Sequence, residues 1–188
     1  MQPLDLALLS LLTLRPMTGY QLKKELDINI GHFWSTTQSH IYKALRGLET
    51  DGAVHLQIVP QAGKPDRNVY SITAQGRSEL VAWLQQPLQC EPVRESWLIQ
   101  LFFARILSDE EIRQLFEDRI QQLEQRFIHC VHLQEIRPEQ IAGQPMDERA
   151  QALIDLTYEY GQAYYLFQKE WQEKALRILD QLPGEAAK

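Results

Sequence analysis

Residues 36–73 constrain the chain most, because the hydrophobic period changes twice within one short span. From Thr36 the sequence reads TTQSHIYKALRGLETDGAVHLQIVPQAGKPDRNVYSIT. Ile41, Leu45 and Leu48 recur at i, i+4 and i+7, which gives a helix one apolar face. Ser39, Lys43, Arg46 and Thr50 fall on the opposite face, with Gln38, His40 and Tyr42 near its start. Gly52 suits the helix C-terminus, and the β-prone segments VHLQIV and VYSIT follow it. Between them, QAGKPDRN has the residues of a turn, and Lys64 and Arg67 make its tip cationic. A helix backed by such a hairpin is a winged helix. It can set the helix in a major groove and the hairpin tip on phosphates, so the stretch argues for binding double-stranded DNA.

The flanking segments complete that unit. Pro3 is placed to start a helix through LDLALLSLLTL, apolar almost all round and therefore central to a core; Arg15-Pro16 ends it. Thr18 reads as the N-cap of GYQLKKELDINIG, with Tyr20, Leu22, Leu26 and Ile30 inward and Lys23 and Lys24 outward. His32, Phe33 and Trp34 link it to the next helix, capped by Thr36 or Thr37. Thr73 caps AQGRSELVAWLQQ, which stops before Pro87. Residues 1–86 thus read helix, helix, helix, strand, wing, strand, helix. LQCEPVRE lacks periodicity and carries Pro92, which makes 87–92 a linker.

Beyond it no strand pattern is visible, so the expected fold class is mainly α with a small β-hairpin: an N-terminal winged helix-turn-helix and a C-terminal helical domain over 93–182. SWLIQLFFARIL has the apolarity and length of a helix. Ser108 and Glu111 form a capping-box start for a long helix whose stripe is Ile112, Leu115, Phe116, Ile120, Leu123, Phe127 and Val131. RPEQIAGQP is a turn-rich break. A last helix from Met146 to Leu182 would span roughly 50 Å at 1.5 Å per residue, and 183–188 form a tail. Its stripe, which includes Tyr160, Tyr164, Phe167, Trp171 and Ile178, is long for a domain with two other helices to cover it. A second copy of the chain buries the surplus most simply, which predicts a homodimer.

The formal charge of −6 looks wrong for a nucleic-acid partner until it is divided. Residues 1–87 hold eight Lys/Arg and seven Asp/Glu, a balance of +1; residues 88–188 hold eleven and eighteen, a balance of −7. The acidity belongs to the second half, and whole-chain charge misleads when the signs are segregated. The near-neutral first half predicts modest, salt-sensitive affinity for each copy, which a dimer would raise.

Other classes fail on inventory. No Gly-rich phosphate loop, GK[ST] or GxSxG pattern occurs, so neither an enzyme nor a cofactor is expected. His129 and His132 lie one helical turn apart, but no third ligand stands near and Cys130 points elsewhere. No metal site is expected; these three residues read as facing solvent or a partner. Cys90 lacks a neighbouring cation to activate its thiol, with Glu91 and Glu95 beside it. No run is long and apolar enough for a bilayer, the N-terminus lacks signal-peptide features, and two cysteines give no disulfide framework, which together predict a cytoplasmic chain without a membrane partner. The aromatics of the second half can line a pocket for a small-molecule effector as well as a core, with Trp97 and the Tyr164–Trp171 region the first places to look; no effector residue is singled out.

At IYKALRGLETDGAV, AGKPDRNVYSIT and TGYQLKKEL the sequence resembles the PadR family of bacterial transcriptional regulators. VRESWLIQLFFARILSDEEIRQLFEDRIQQLE resembles the C-terminal domain that the larger branch of that family shares with virulence-gene activators. The resemblance covers nearly the whole chain. It implies a dimeric winged-helix regulator, usually a repressor, whose C-terminal helices dimerise; in some members a small molecule releases the DNA. Tyr42 matches the recognition-helix tyrosine that meets the DNA backbone, and Lys64 and Arg67 match the wing-tip cations. Gly47 departs from the Lys or Arg that many members carry, and Asp66 dilutes the wing's charge. The expectation is a sequence-specific DNA-binding regulator on a pseudo-palindromic operator; the rival is a winged-helix adaptor that binds protein and not DNA.

Overall fold

The structure, a computed structural model, describes residues 1–181 except 32, 64, 65, 89, 91, 137–139 and 142. Two compact units emerge: Met1–Leu88 joined by Ile136–Ala152, and a second unit made of the other described residues.

In the first unit, helix α1 (Pro3–Leu12) opens with proline in its first turn and an Asp5 carboxylate accepting from the Gln2 N–H at 2.7 Å. Leu6, Leu8, Leu9, Leu11 and Leu12 are all buried, so α1 is surrounded as its composition predicts. The chain then forms β1 (Met17–Thr18), a two-residue strand paired with Tyr70 and Val69. Helix α2 (Gly19–Asn29) begins at Thr18, whose hydroxyl accepts from the Gln21 N–H while the Gln21 side chain accepts from the Thr18 N–H. Leu22 and Leu26 are buried. Tyr20, expected to face inward, is 71% exposed. It lies two residues before Leu22, and at 100° per residue that puts it on the far side of the helix.

Helix α3 (Gln38–Thr50) is followed by strands β2 (Val54–Val59) and β3 (Arg67–Ile72). The three strands form an antiparallel sheet in the order β1-β3-β2, with Val54 opposite Ile72 and Val59 opposite Arg67. Helix α4 (Ala74–Leu84) closes the run. Its cap, Thr73, accepts from the Gly76 N–H and donates to the Gly52 carbonyl at 2.7 Å. Gly76 is required there: a Cβ would collide with the Ala53 carbonyl.

The core of this unit draws Leu8, Leu9, Met17, Leu22, Ile41 and Leu45 into full burial. Each such side chain contributes about 1.5–3 kcal/mol of transfer free energy. Ile141 packs against the same core from a distant part of the chain. It belongs to a small hairpin, β4 (Gln140–Ile141) and β5 (Gln144–Pro145), with Gly143 at φ 75°. The turn-rich sequence 137–145 therefore contains two strands, each too short to show a period of two.

The second unit is helical. SWLIQLFFARIL does not form one helix: α5 ends early (Ser96–Phe102), and a 3-10 turn follows at Ala104–Ile106. Helix α6 (Asp109–Glu135) starts at the Ser108 box, where the Glu111 carboxylate accepts from the Ser108 N–H at 2.8 Å. That bond holds the Glu111 carboxyl below its ordinary pKa. Phe116, Leu123 and Cys130 are buried. Helix α7 (Glu148–Leu179) is shorter than 146–182; Leu182 and the tail lie outside the described residues. Ion pairs Arg113–Asp180 and Lys169–Glu124 align α6 and α7 antiparallel. No helix among the described residues is long and apolar enough to cross a membrane.

Candidate nucleic-acid interface

The geometry of α3 follows from its ends and its stripe. Thr37, one of the two expected caps, accepts from the His40 N–H at 3.3 Å. Ile41 and Leu45 are 0% exposed and Leu48 is buried with them. At the other end the Gly52 N–H reaches the Glu49 carbonyl at 3.1 Å and the Ala53 N–H reaches that of Leu48 at 2.8 Å. That is a Schellman stop, and Gly52 at φ 75° permits it. The helix is pinned at both ends with one face in the core. Its rotation is thereby fixed.

The opposite face is consequently presented outward. Ser39, Lys43, Arg46 and Thr50, one row at helical spacing, are all exposed. His40 is exposed on the flank nearer α1; Gln38 and Tyr42 are half-buried. His40, Lys43 and Gly47 line a cleft of about 340 Å³ together with Gln2, Leu4 and Asp5. Nothing stands within 4 Å of where a Gly47 Cβ would be, so glycine there simply leaves the cleft wider. On the other flank, Tyr42 lies over Gly19, where any side chain would strike its ring. Tyr42 also partly packs on the core. Behind it, the Tyr70 hydroxyl of β3 has a raised pKa, through burial first and the negative field of Glu49 next; Arg46 pulls it down. The charges of α3 thus lie close to the wing strands.

Arg67 is exposed, but it sits within β3 and not in the turn. Lys64 lies outside the described residues. Tyr20 was missed as a candidate. Exposed in the first turn of α2, it follows the glycine that Tyr42 covers, and its helical phase opposite Leu22 was the available signal.

A bare helix face about 10–12 Å across, carrying a hydroxyl and two cations at i, i+4 and i+7, matches a major groove about 12 Å wide. No alternative metal centre competes: among the described residues no three His, Cys, Asp or Glu are grouped to hold one. His129 and His132 are exposed, and His132 lies 4.0 Å from Glu135. Cys130, read as facing solvent or a partner, is instead buried with its thiol toward the Tyr158 carbonyl at 3.7 Å. Burial raises its pKa.

On α7, Tyr160 is 72% and Phe167 61% exposed, and Tyr164 and Ile178 are exposed as well. Trp171 differs, being half-buried with its ring edge-to-face on Trp97 of the same chain at 5.2 Å.

The sequence matches the model of the transcriptional regulator PadR-like family over residues 8–82 and that of virulence activator alpha C-term over 93–180. A probable transcriptional regulator of Mycobacterium tuberculosis, Rv1176c, is 42% identical over 71 residues, 38% of each chain. The negative transcriptional regulator PadR of Bacillus subtilis is 32% identical over 123 residues, 64% of this chain and 67% of that one. In fold, the crystal structure of Bacillus subtilis PadR in complex with operator DNA matches with a TM-score of 0.77 at 23% identity, over 95% of this chain and 99% of that chain. The same protein in complex with p-coumaric acid also matches at 0.77, over 96% and 100%. Both halves and nearly the full length agree: this chain belongs to the PadR-like family of transcriptional regulators.

Proposed function

We propose that this chain is a cytoplasmic repressor that binds a pseudo-palindromic operator as a homodimer. The observation that carries the reading is the exposed row Ser39, Lys43 and Arg46 on a helix locked by its buried stripe. Residues 1–86, joined by the 136–152 segment that returns to them, are the DNA-reading domain, 87–92 the linker, and the rest of 93–182 the dimerisation and effector domain. Ser39 and Arg46 read base edges, with Gln38 and His40 beside them, while Tyr42, Lys43, Lys64 and Arg67 hold phosphates. The exposed stripe of Tyr160, Tyr164, Phe167 and Ile178, continued by the edge of Trp171, pairs two copies. That pairing sets two α3 helices in successive major grooves, about 34 Å apart. The relative's description as a negative regulator supports repression, and its complex with operator DNA supports the partner. Its complex with p-coumaric acid supports release by a small molecule. Such an effector must bind the geometry unfit for DNA more tightly, because equal affinity for both shifts nothing.

Titration of DNA from the gene's own upstream region at several salt concentrations tests the reading. Affinity should fall steeply as salt rises. Arg67→Ala should weaken all sequences alike and shallow the salt slope, whereas Ser39→Ala and Arg46→Ala should change which sequence is preferred. A flat or absent response to DNA would favour the protein-binding adaptor instead.

A further inference from the structure

Helix α5 is too short and too bare to stand by itself. Not one of its seven residues is buried, and isolated helices shorter than about 12 residues are marginal in water. Its anchors lie on one side. Trp97 meets Trp171 of α7 edge-to-face at 5.2 Å and carries the Arg119 guanidinium of α6 4.4 Å over its ring. The Glu95 carboxylate, at the helix start, accepts from the Tyr164 hydroxyl of α7 and lies 3.5 Å from Arg119. Leu98, Ile99 and Phe102 project from the other side, roughly 100–200° round the helix from Trp97. With Val93 and Phe103 they line an open groove of about 620 Å³. Phe102 is 79% exposed, and Ile106, just beyond the helix, 83%. Six large apolar side chains exposed between Val93 and Ile106 make a patch of the kind that marks an interface.

The bare stripe of α7 has the matching chemistry. Leu153, Leu156, Tyr160 and Phe167 are exposed along it. Glu159 and Glu170, about three turns apart, stand exposed along one of its edges. Arg94 and Arg105 are exposed at the two ends of the α5 patch, Arg94 at the groove itself. Apolar surface thus answers apolar surface, and cations answer anions. Within one chain the two surfaces stay apart, because α5 is fixed to α7 through Trp97 and Glu95 with its patch on the other side. In a twofold dimer they can meet, and each contact then occurs twice.

We propose that the α5 groove of each copy takes the α7 stripe of the other, so that two exchanged arms close the dimer. The inference rests on the homodimer reading and adds to it the surface that the stripe meets.

Sedimentation of the full-length chain tests the exchange. Ile99→Lys with Phe102→Lys should weaken the dimer roughly hundredfold or more, because the lysines would lose their water on assembly. Tyr160→Asp with Phe167→Asp should do the same from the other side. An equal mixture of the two variants should recover dimers, since one intact contact and one lysine–aspartate contact then close the pair. Ile99→Ser with Phe102→Ser, a milder change, guards against misfolding of the lysine variant and should weaken the dimer in the same direction. A mixture that stays monomeric, as each variant alone does, would overturn the exchange. Loss of the dimer in the α5 variants but not in the α7 variant would put the partner's own α5 in the groove, and would overturn it too. A dimeric parent indifferent to both α5 variants would overturn the docking alone, whereas a monomeric parent would overturn the homodimer reading itself.

Discussion

Helices α3 and α7 both carry an apolar stripe at helical spacing, yet they use it in opposite ways. In α3 the stripe is three aliphatic side chains among polar ones, and all three are in the core of their own unit. In α7 the long stripe of Leu153, Leu156, Tyr160, Phe167 and Ile178 stays exposed, while Tyr158, Gly161, Gln168 and Gln172 are the buried residues. A helix with one apolar face has one way to sit. A helix rich in Tyr, Gln and Ala has two usable faces, and shape decides which one its neighbours take. The difference teaches that spacing identifies a face suited to burial without identifying what will bury it.

Four variants break or sharpen this contrast. The largest effect belongs to Leu45→Ala, which leaves a cavity in a fully packed core and should cost about 2–5 kcal/mol, read as a lower melting temperature of the first unit. Next, Tyr160→Asp with Phe167→Asp should leave the helical circular dichroism intact but turn the dimer into monomers in sedimentation, since both side chains are exposed within one copy. An unchanged dimer would put the interface elsewhere. Third, Lys43→Ala with Arg46→Ala, on the outer face of the helix that carries Leu45, should leave the melting temperature within about 0.5 kcal/mol-equivalents of the parent. Operator affinity should drop roughly tenfold or more at moderate salt. A large stability loss instead would show that this face packs against something. The smallest effect is Gly47→Ala: with open space where its Cβ would go, alanine should stabilise α3 by up to about 1 kcal/mol.

Much of the first unit was legible because its determinants are local. Thr18, Thr37 and Thr73 each cap a helix with their own hydroxyl, and Gly52 stops α3; such chemistry is visible in a handful of adjacent residues. The exposed placement of Ser39, Lys43 and Arg46 followed from the same short window. What was not legible depends on distant partners. Met17–Thr18 is a strand only because Tyr70 and Val69 lie beside it. The break after Phe102 has no glycine or proline to announce it. Cys130 is buried because α7 covers it, which its polar neighbours His129 and His132 concealed. Trp171 belonged to the expected stripe, yet its ring is engaged by Trp97 across seventy-odd residues of sequence, a separation no spacing rule reaches.

The hairpin carrying Ile141 has a consequence for the order of events at the ribosome. The first unit is discontinuous: the chain leaves it after Leu88 and rejoins it at Ile136. A nascent chain can therefore assemble the reader's sheet and most of its leucine core early. The last piece that packs on that core emerges only after α6 has been made. Closing the loop across that insertion costs little more entropy than closing a short one, so the delay is a matter of synthesis time and not of stability. Until then, the patch that Ile141 covers is open to chaperones, and to other copies of the same unfinished chain.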